Sequence, residues 1–251
     1  MSTVARRTLQ ILSGILVLGG CAGDMLRLGN GRDGGSAKSD ATDAQEPDST
    51  SGAIDVDTCL RGQIKASEVA SIGDTWVTIP GTQHTRVRDL ARSAGAIGPT
   101  EDYTVAAAPY ATMAATATQY DTQESTQTKV KVVIMDGGTF DTIQSGGSDA
   151  SVADVVATFQ QFLAQVAADG TVEHVVYYLC PELSGIPGVA ALRPPLQQAC
   201  TASSVPCHFL DLQPLWAGHP EYSSGIQSSE AGAKVIADAI WSIMQQSCIA
   251  Q

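Results

Sequence analysis

Clustered basic residues are what this 251-residue chain most clearly lacks: 14 Lys and Arg stand against 26 Asp and Glu, a formal net charge of −12. Binding a phosphate backbone requires a patch of cations, so nucleic acid is excluded as the main partner. Neither a Cys-x-x-Cys pair nor a His-x-x-x-His spacing occurs among the six cysteines and four histidines, so the usual sequence patterns of a zinc site are missing. No internal repeat is present, and no cofactor is expected. The apolar run over residues 11–18 falls short of the roughly 20 residues that a membrane-spanning helix needs.

That short run has a different context. Arg6 and Arg7 precede it and Gly19-Gly20-Cys21 follows it, the layout of an export signal. Leu18-Gly19-Gly20-Cys21 resembles a bacterial lipobox. The resemblance implies a signal peptide over residues 1–21 and a lipid on Cys21, and Ala22 after the cysteine points to the outer membrane. Residues 22–57 hold almost no large apolar side chain after Leu28 and carry eight acids against three bases, so they are expected to form a flexible acidic tether. The folded domain is then 58–251. Its cysteines are Cys59, Cys180, Cys200, Cys207 and Cys248. In an oxidising compartment Cys200 and Cys207 can close a short loop and Cys59 can clip the domain start to Cys248, leaving Cys180 free.

Within the domain the apolar pattern alternates between strand and helix. Residues 68–72 read as a strand that turns at Gly73-Asp74-Thr75, and Thr85–Ser93 as a first crossover helix. Tyr103–Ala108 reads as a second strand, Thr116–Thr128 as a polar loop, and Lys129–Met135 as a buried strand ending in Asp136-Gly137-Gly138. Val152–Ala168 is a strong amphipathic helix, Val172–Leu179 and Val205–Leu210 are strands, and Glu230–Met244 is the closing helix. Strands separated by helices imply βαβ units, hence a three-layer α/β domain with a parallel sheet.

Three loops at expected strand ends hold the candidate chemistry: Gly73-Asp74-Thr75, Asp136-Gly137-Gly138-Thr139-Phe140-Asp141, and Glu221 to Gly232 before the last helix. Their order and spacing resemble the SGNH hydrolases, also called GDSL esterases and lipases. The opening of the last helix, Gly225-Ile226 with Ser229-Glu230-Ala231-Gly232, carries the strongest part of the match. The resemblance implies their flavodoxin-like three-layer fold, an ester-hydrolysing ancestry, and a role for each matching position. Thr75 stands at the nucleophile, where the family has serine. Tyr110 and Phe140 stand at the oxyanion positions, where it has glycine and asparagine. Ser224 stands at the acid and Gln227 at the base, where it has aspartate and histidine.

An amide cannot take up and return a proton near neutral pH as an imidazole does. Without that base a threonine hydroxyl stays protonated and is a poor nucleophile. The expectation is therefore an impaired hydrolase fold that binds an acylated glycan or another envelope ligand, or serves as a scaffold. The alternative is an esterase rewired around Thr75, with His219 or a neighbouring aspartate recruited. His84, His174 and His208 are expected to be structural or exposed.

Overall fold

The computed structural model describes residues 64–78, 83–126 and 129–249. The signal peptide with Cys21, the tether over 22–57, and Cys59 lie outside the described residues. All described residues belong to one compact unit, Thr50–Gln251.

Five parallel strands form the sheet: β1 (Val69–Ile72), β2 (Thr104–Val105), β3 (Val132–Met135), β4 (His174–Leu179) and β5 (Cys207–Asp211), in the order β2-β1-β3-β4-β5. Every residue of β1 and β3 is buried, which explains their near-continuous apolar sequence. The helices are α1 (Thr75–Thr78), α2 (Gln83–Ser93), α3 (Met113–Thr126), α4 (Thr139–Ser145), α5 (Asp149–Asp169), α6 (Val189–Thr201), α7 (Gln213–Trp216) and α8 (Glu230–Gln246). α2 packs on α8, while α5 packs between α3 and α6, giving a covering layer for each face of the sheet. Phe159 and Phe162 of α5 form the centre of the second layer, against Tyr177 of β4 and Tyr120 of α3. A two-stranded antiparallel ribbon, β6 (Ser223–Ser224) with β7 (Gln227–Ser228), precedes α8.

The expected architecture is present, with two corrections. Residues 116–128, expected as a polar loop, lie for the most part in α3. Its buried stripe of Met113, Thr116, Tyr120 and Gln123 has helical spacing but is half polar, so hydrophobicity alone does not reveal it. The second is α6, to which no element was assigned. Pro194 and Pro195 sit inside it and read as breakers, yet Val189, Leu192, Leu196, Ala199 and Cys200 hold one face of it in the core.

Cys200 and Cys207 are disulfide-bonded, tying the end of α6 to the start of β5, and Cys180 is a free, buried thiol. Cys248 is also disulfide-bonded. Its partner lies outside the described residues, as does the expected partner Cys59. Among the described residues no helix is long and apolar enough to cross a membrane.

Candidate functional site

The chain leaves β1 toward β2 on one side and later returns to lay β3 on the other, so the strand order reverses beside β1. Crevices in open α/β sheets form at the carboxyl edge of such a reversal. Thr75 opens α1 directly after β1, and Thr139 and Phe140 open α4 directly after β3.

Gly73 makes the turn possible. Its φ of +144° lies where side chains are strained, and an added Cβ would collide with the Asp136 carboxylate. Gln119 of α3 clamps the same residue from both sides: its Oε1 accepts from Gly73 N at 2.7 Å and its Nε2 donates to Gly73 O at 3.0 Å. Next in line, Asp74 N donates to Asp136 Oδ1 at 2.7 Å, and Trp76 N donates to Asp74 Oδ1 at 2.9 Å. The backbone that presents Thr75 is thus held by three side chains.

Asp74 and Asp136 are both buried, and burial is the largest cause raising the pKa of each. Their mutual contact pushes Asp136 further up, so the pair holds on to a proton above the ordinary carboxyl range. The Cys180 thiol nearby is pushed up to about 12, chiefly by burial, and contacts Thr139 Oγ1 at 3.1 Å. It is therefore no thiolate nucleophile. Burial likewise raises Asp141, whose Oδ2 accepts from Met113 N at the start of α3 at 2.9 Å. The three aspartates bond loop and helix-start amides.

Thr75, Tyr110, Phe140 and Gln227 line one cavity together with Asp74, Trp76, Thr139, Ile143 and Ile226. Four candidate positions spread over 153 residues of sequence therefore converge. Ser224 does not line the cavity; it is exposed and pairs with Gln227 across the β6–β7 ribbon. The cavity measures about 20 Å³, room for about one water. Tyr110 N donates to Thr75 Oγ1 at 3.0 Å. Among the described residues no base bonds that hydroxyl, and the Gln227 amide makes no side-chain hydrogen bond. Tyr110 has φ of +61°, the left-handed region favoured by glycine, and its 57% exposed ring lies 5.4 Å from that of Phe140.

His219 is engaged elsewhere, with Nδ1 2.9 Å from Glu221 Oε1 and its ring stacked on Tyr222, and it does not line the cavity. His84 is half-buried rather than on the open surface, with Nδ1 3.3 Å from Val77 O. Trp76 lines the cavity and packs against Trp216 at 6.0 Å. Sequence reasoning did not find Gln119, Asp136 as the partner of Asp74, or the aliphatic pair Ile143 and Ile226. No local signal marks them, because each acts through a contact with another loop.

No protein-family model and no curated protein matches the chain. Solved structures do. An acetyl xylan esterase, AlAXEase, superposes with a TM-score of 0.57 at 13% identity, covering 70% of this chain and 98% of its own. A carbohydrate esterase of family 3 from Talaromyces cellulolyticus gives 0.58 at 18%, covering 74% and 98%. A member of the lipolytic G-D-S-L family from Veillonella parvula gives 0.53 at 12%, covering 70% and 96%. This is the SGNH-hydrolase fold. These structures align over nearly their whole length with this chain, so the α/β sheet and its covering helices follow the SGNH-hydrolase fold.

Proposed function

We propose that this SGNH-fold domain has lost ester hydrolysis and instead binds a ligand at the mouth framed by Tyr110 and Phe140. The observation that carries this reading is the surroundings of Thr75 Oγ1: an amide side chain lines its cavity where a proton-accepting imidazole is needed, and its one hydrogen bond among the described residues comes from Tyr110 N. Phe140 supplies no donor for an oxyanion, and loss of one such donor typically costs about 10² to 10³ in rate. The cavity beside the hydroxyl is small, about 20 Å³.

What remains suits recognition. An exposed tyrosine beside a second aromatic ring offers a stacking platform. Thr75 and Gln227 line the same cavity with uncharged hydroxyl and amide groups. This chemistry fits an acylated glycan of the cell envelope, with a sugar ring on the aromatics and its hydroxyls at the amide.

Two measurements test the pair of claims. Purified protein incubated with short-chain p-nitrophenyl esters is expected to show no turnover above buffer. Turnover that disappears in Thr75→Ala would overturn the reading in favour of an esterase rewired around Thr75. Binding on a glycan array is expected to be lost in Tyr110→Ala and Phe140→Ala.

We further propose that a lipid on Cys21 anchors the chain, in keeping with the lipobox resemblance of Leu18–Cys21. Metabolic labelling with a fatty acid should mark the wild-type chain and leave Cys21→Ser unlabelled.

A further inference from the structure

At the amino-terminal edge of the sheet, the end away from Thr75, His174 begins β4 and His208 is the second residue of β5. His174 Nδ1 lies 3.2 Å from His208 Nε2, with ring centroids 5.4 Å apart. Two imidazole nitrogens on one tetrahedral zinc ion, each bonded at about 2.0–2.1 Å, stand about 3.3–3.4 Å apart. The strands therefore already hold the two nitrogens at the separation of neighbouring corners of a coordination tetrahedron.

We propose that His174 and His208 form a two-imidazole binding site for a divalent transition ion such as Zn²⁺, with water completing its coordination. In the metal-free chain one proton is shared along the line between the nitrogens. To take an ion instead, each lone pair swings off that line by about 40°, a rotation that the broad terminal torsion of histidine permits without backbone movement. The proton bookkeeping closes without release. In the tautomer with its hydrogen on Nδ1, 3.5 Å from Ser247 Oγ, His208 leaves Nε2 bare for the ion. The His174 hydrogen moves from Nδ1 to the other nitrogen of the same ring.

Burial lowers the pKa of each ring, which favours the neutral form that a metal requires. They are only half-buried, so water can reach the ion. The surroundings are stiff. Cys207, next to His208, is bonded to Cys200, and Cys248, next to Ser247, is bonded outside the described residues. The neighbouring charges are Glu173, which favours a cation, and Lys131, 3.4 Å from Glu173 and 3.9 Å from Glu68, which offsets part of it. Among the described residues no group of three or more His, Cys, Asp or Glu side chains could hold a metal. Only two protein ligands are therefore expected, and the ion should exchange readily rather than be locked in.

Calorimetric titration of the untagged full chain with ZnCl₂ at neutral pH tests the site. One equivalent is expected to bind, with affinity at least about tenfold weaker in His174→Ala and in His208→Ala. His84→Ala and His219→Ala should match wild type, since the four histidines of the chain are then all accounted for. Binding should fade toward about pH 5 as the imidazoles protonate. His208→Gln conserves shape, and circular dichroism checks that it folds, so loss of binding there reports the ligand and not the fold. With Cu²⁺ in place of zinc, electron paramagnetic resonance should show hyperfine coupling to two imidazole nitrogens. No zinc uptake by the wild type, or equal uptake by the His174→Ala/His208→Ala double variant, overturns the proposal.

Discussion

Tyr110 holds a backbone conformation that a tyrosine rarely adopts, and what it presents to solvent depends on that strain. At φ +61° an L-residue gives up about 1–2 kcal/mol, and such strain persists only where surrounding structure enforces it. Here the enforcement includes the Tyr110 N to Thr75 Oγ1 bond and the ring contact with Phe140. Tyr110→Gly removes the strain along with the ring contact, and the two effects offset, so its chemical-denaturation midpoint should stay near wild type. Tyr110→Val keeps the strain, worsens it by β-branching, and also loses the ring. It should destabilise by about 1–2 kcal/mol. If the two variants melt alike, strain is not what distinguishes this position. The family resemblance sets Tyr110 where a glycine is expected, and its φ of +61° is one that glycine favours. That its ring would lean on Phe140, and that Gln119 would grip Gly73, could not be read from the sequence, because both are contacts between loops far apart in sequence.

Among the elements, the last helix was the most legible. Ser229 accepts from Gly232 N, a local cap that any Ser-x-x pattern before an apolar stripe suggests. The role of Gly232 itself was not legible. In an open helix its replacement by alanine would stabilise by about 1 kcal/mol. Here an added Cβ would collide with the carbonyl oxygen of Tyr222 and would crowd the ring of Trp216, so the sign reverses. Gly232→Ala should destabilise by about 1–3 kcal/mol in urea unfolding, through loss of the seat of α8 on the turn at Pro220–Tyr222 that carries the candidate loop. Midpoints equal to or above wild type would show that this seat is loose. α3 and α6 escaped the sequence for opposite reasons. α3 buries polar and small side chains that carry little hydrophobic signal, and α6 carries two prolines that core contacts on its other side chains outweigh.

At the scale of the whole molecule, the buried carboxyl pair should tie stability to pH. Asp74 and Asp136 both hold their protons to higher pH in the folded chain than in the unfolded one. The pair's stabilising contribution is thus complete below the ordinary carboxyl range near about 4 and is lost as pH rises through the raised values. The half-buried His84, His174 and His208 act in the opposite sense: their pKa values are lowered, so their contribution is lost as pH falls below about 6.5. Asp136→Asn isolates the pair, since its amide can still accept from Asp74 N and can donate to the Asp74 carboxylate. It should raise the melting temperature at about pH 8, change it little near about pH 5, and flatten the decline between them. A decline as steep as wild type would place the excess proton elsewhere. By itself the sequence determined the parallel α/β architecture and that an amide, not an imidazole, stands at residue 227, because apolar periodicity and side-chain chemistry are local properties of the chain. Only the tertiary structure decided that Thr75, Tyr110, Phe140 and Gln227 share one cavity while Ser224 stays outside it, that the cavity is small, and that Asp74 and Asp136 meet behind the turn. Those follow from which loops the sheet brings together, and that is not written in any single stretch of residues.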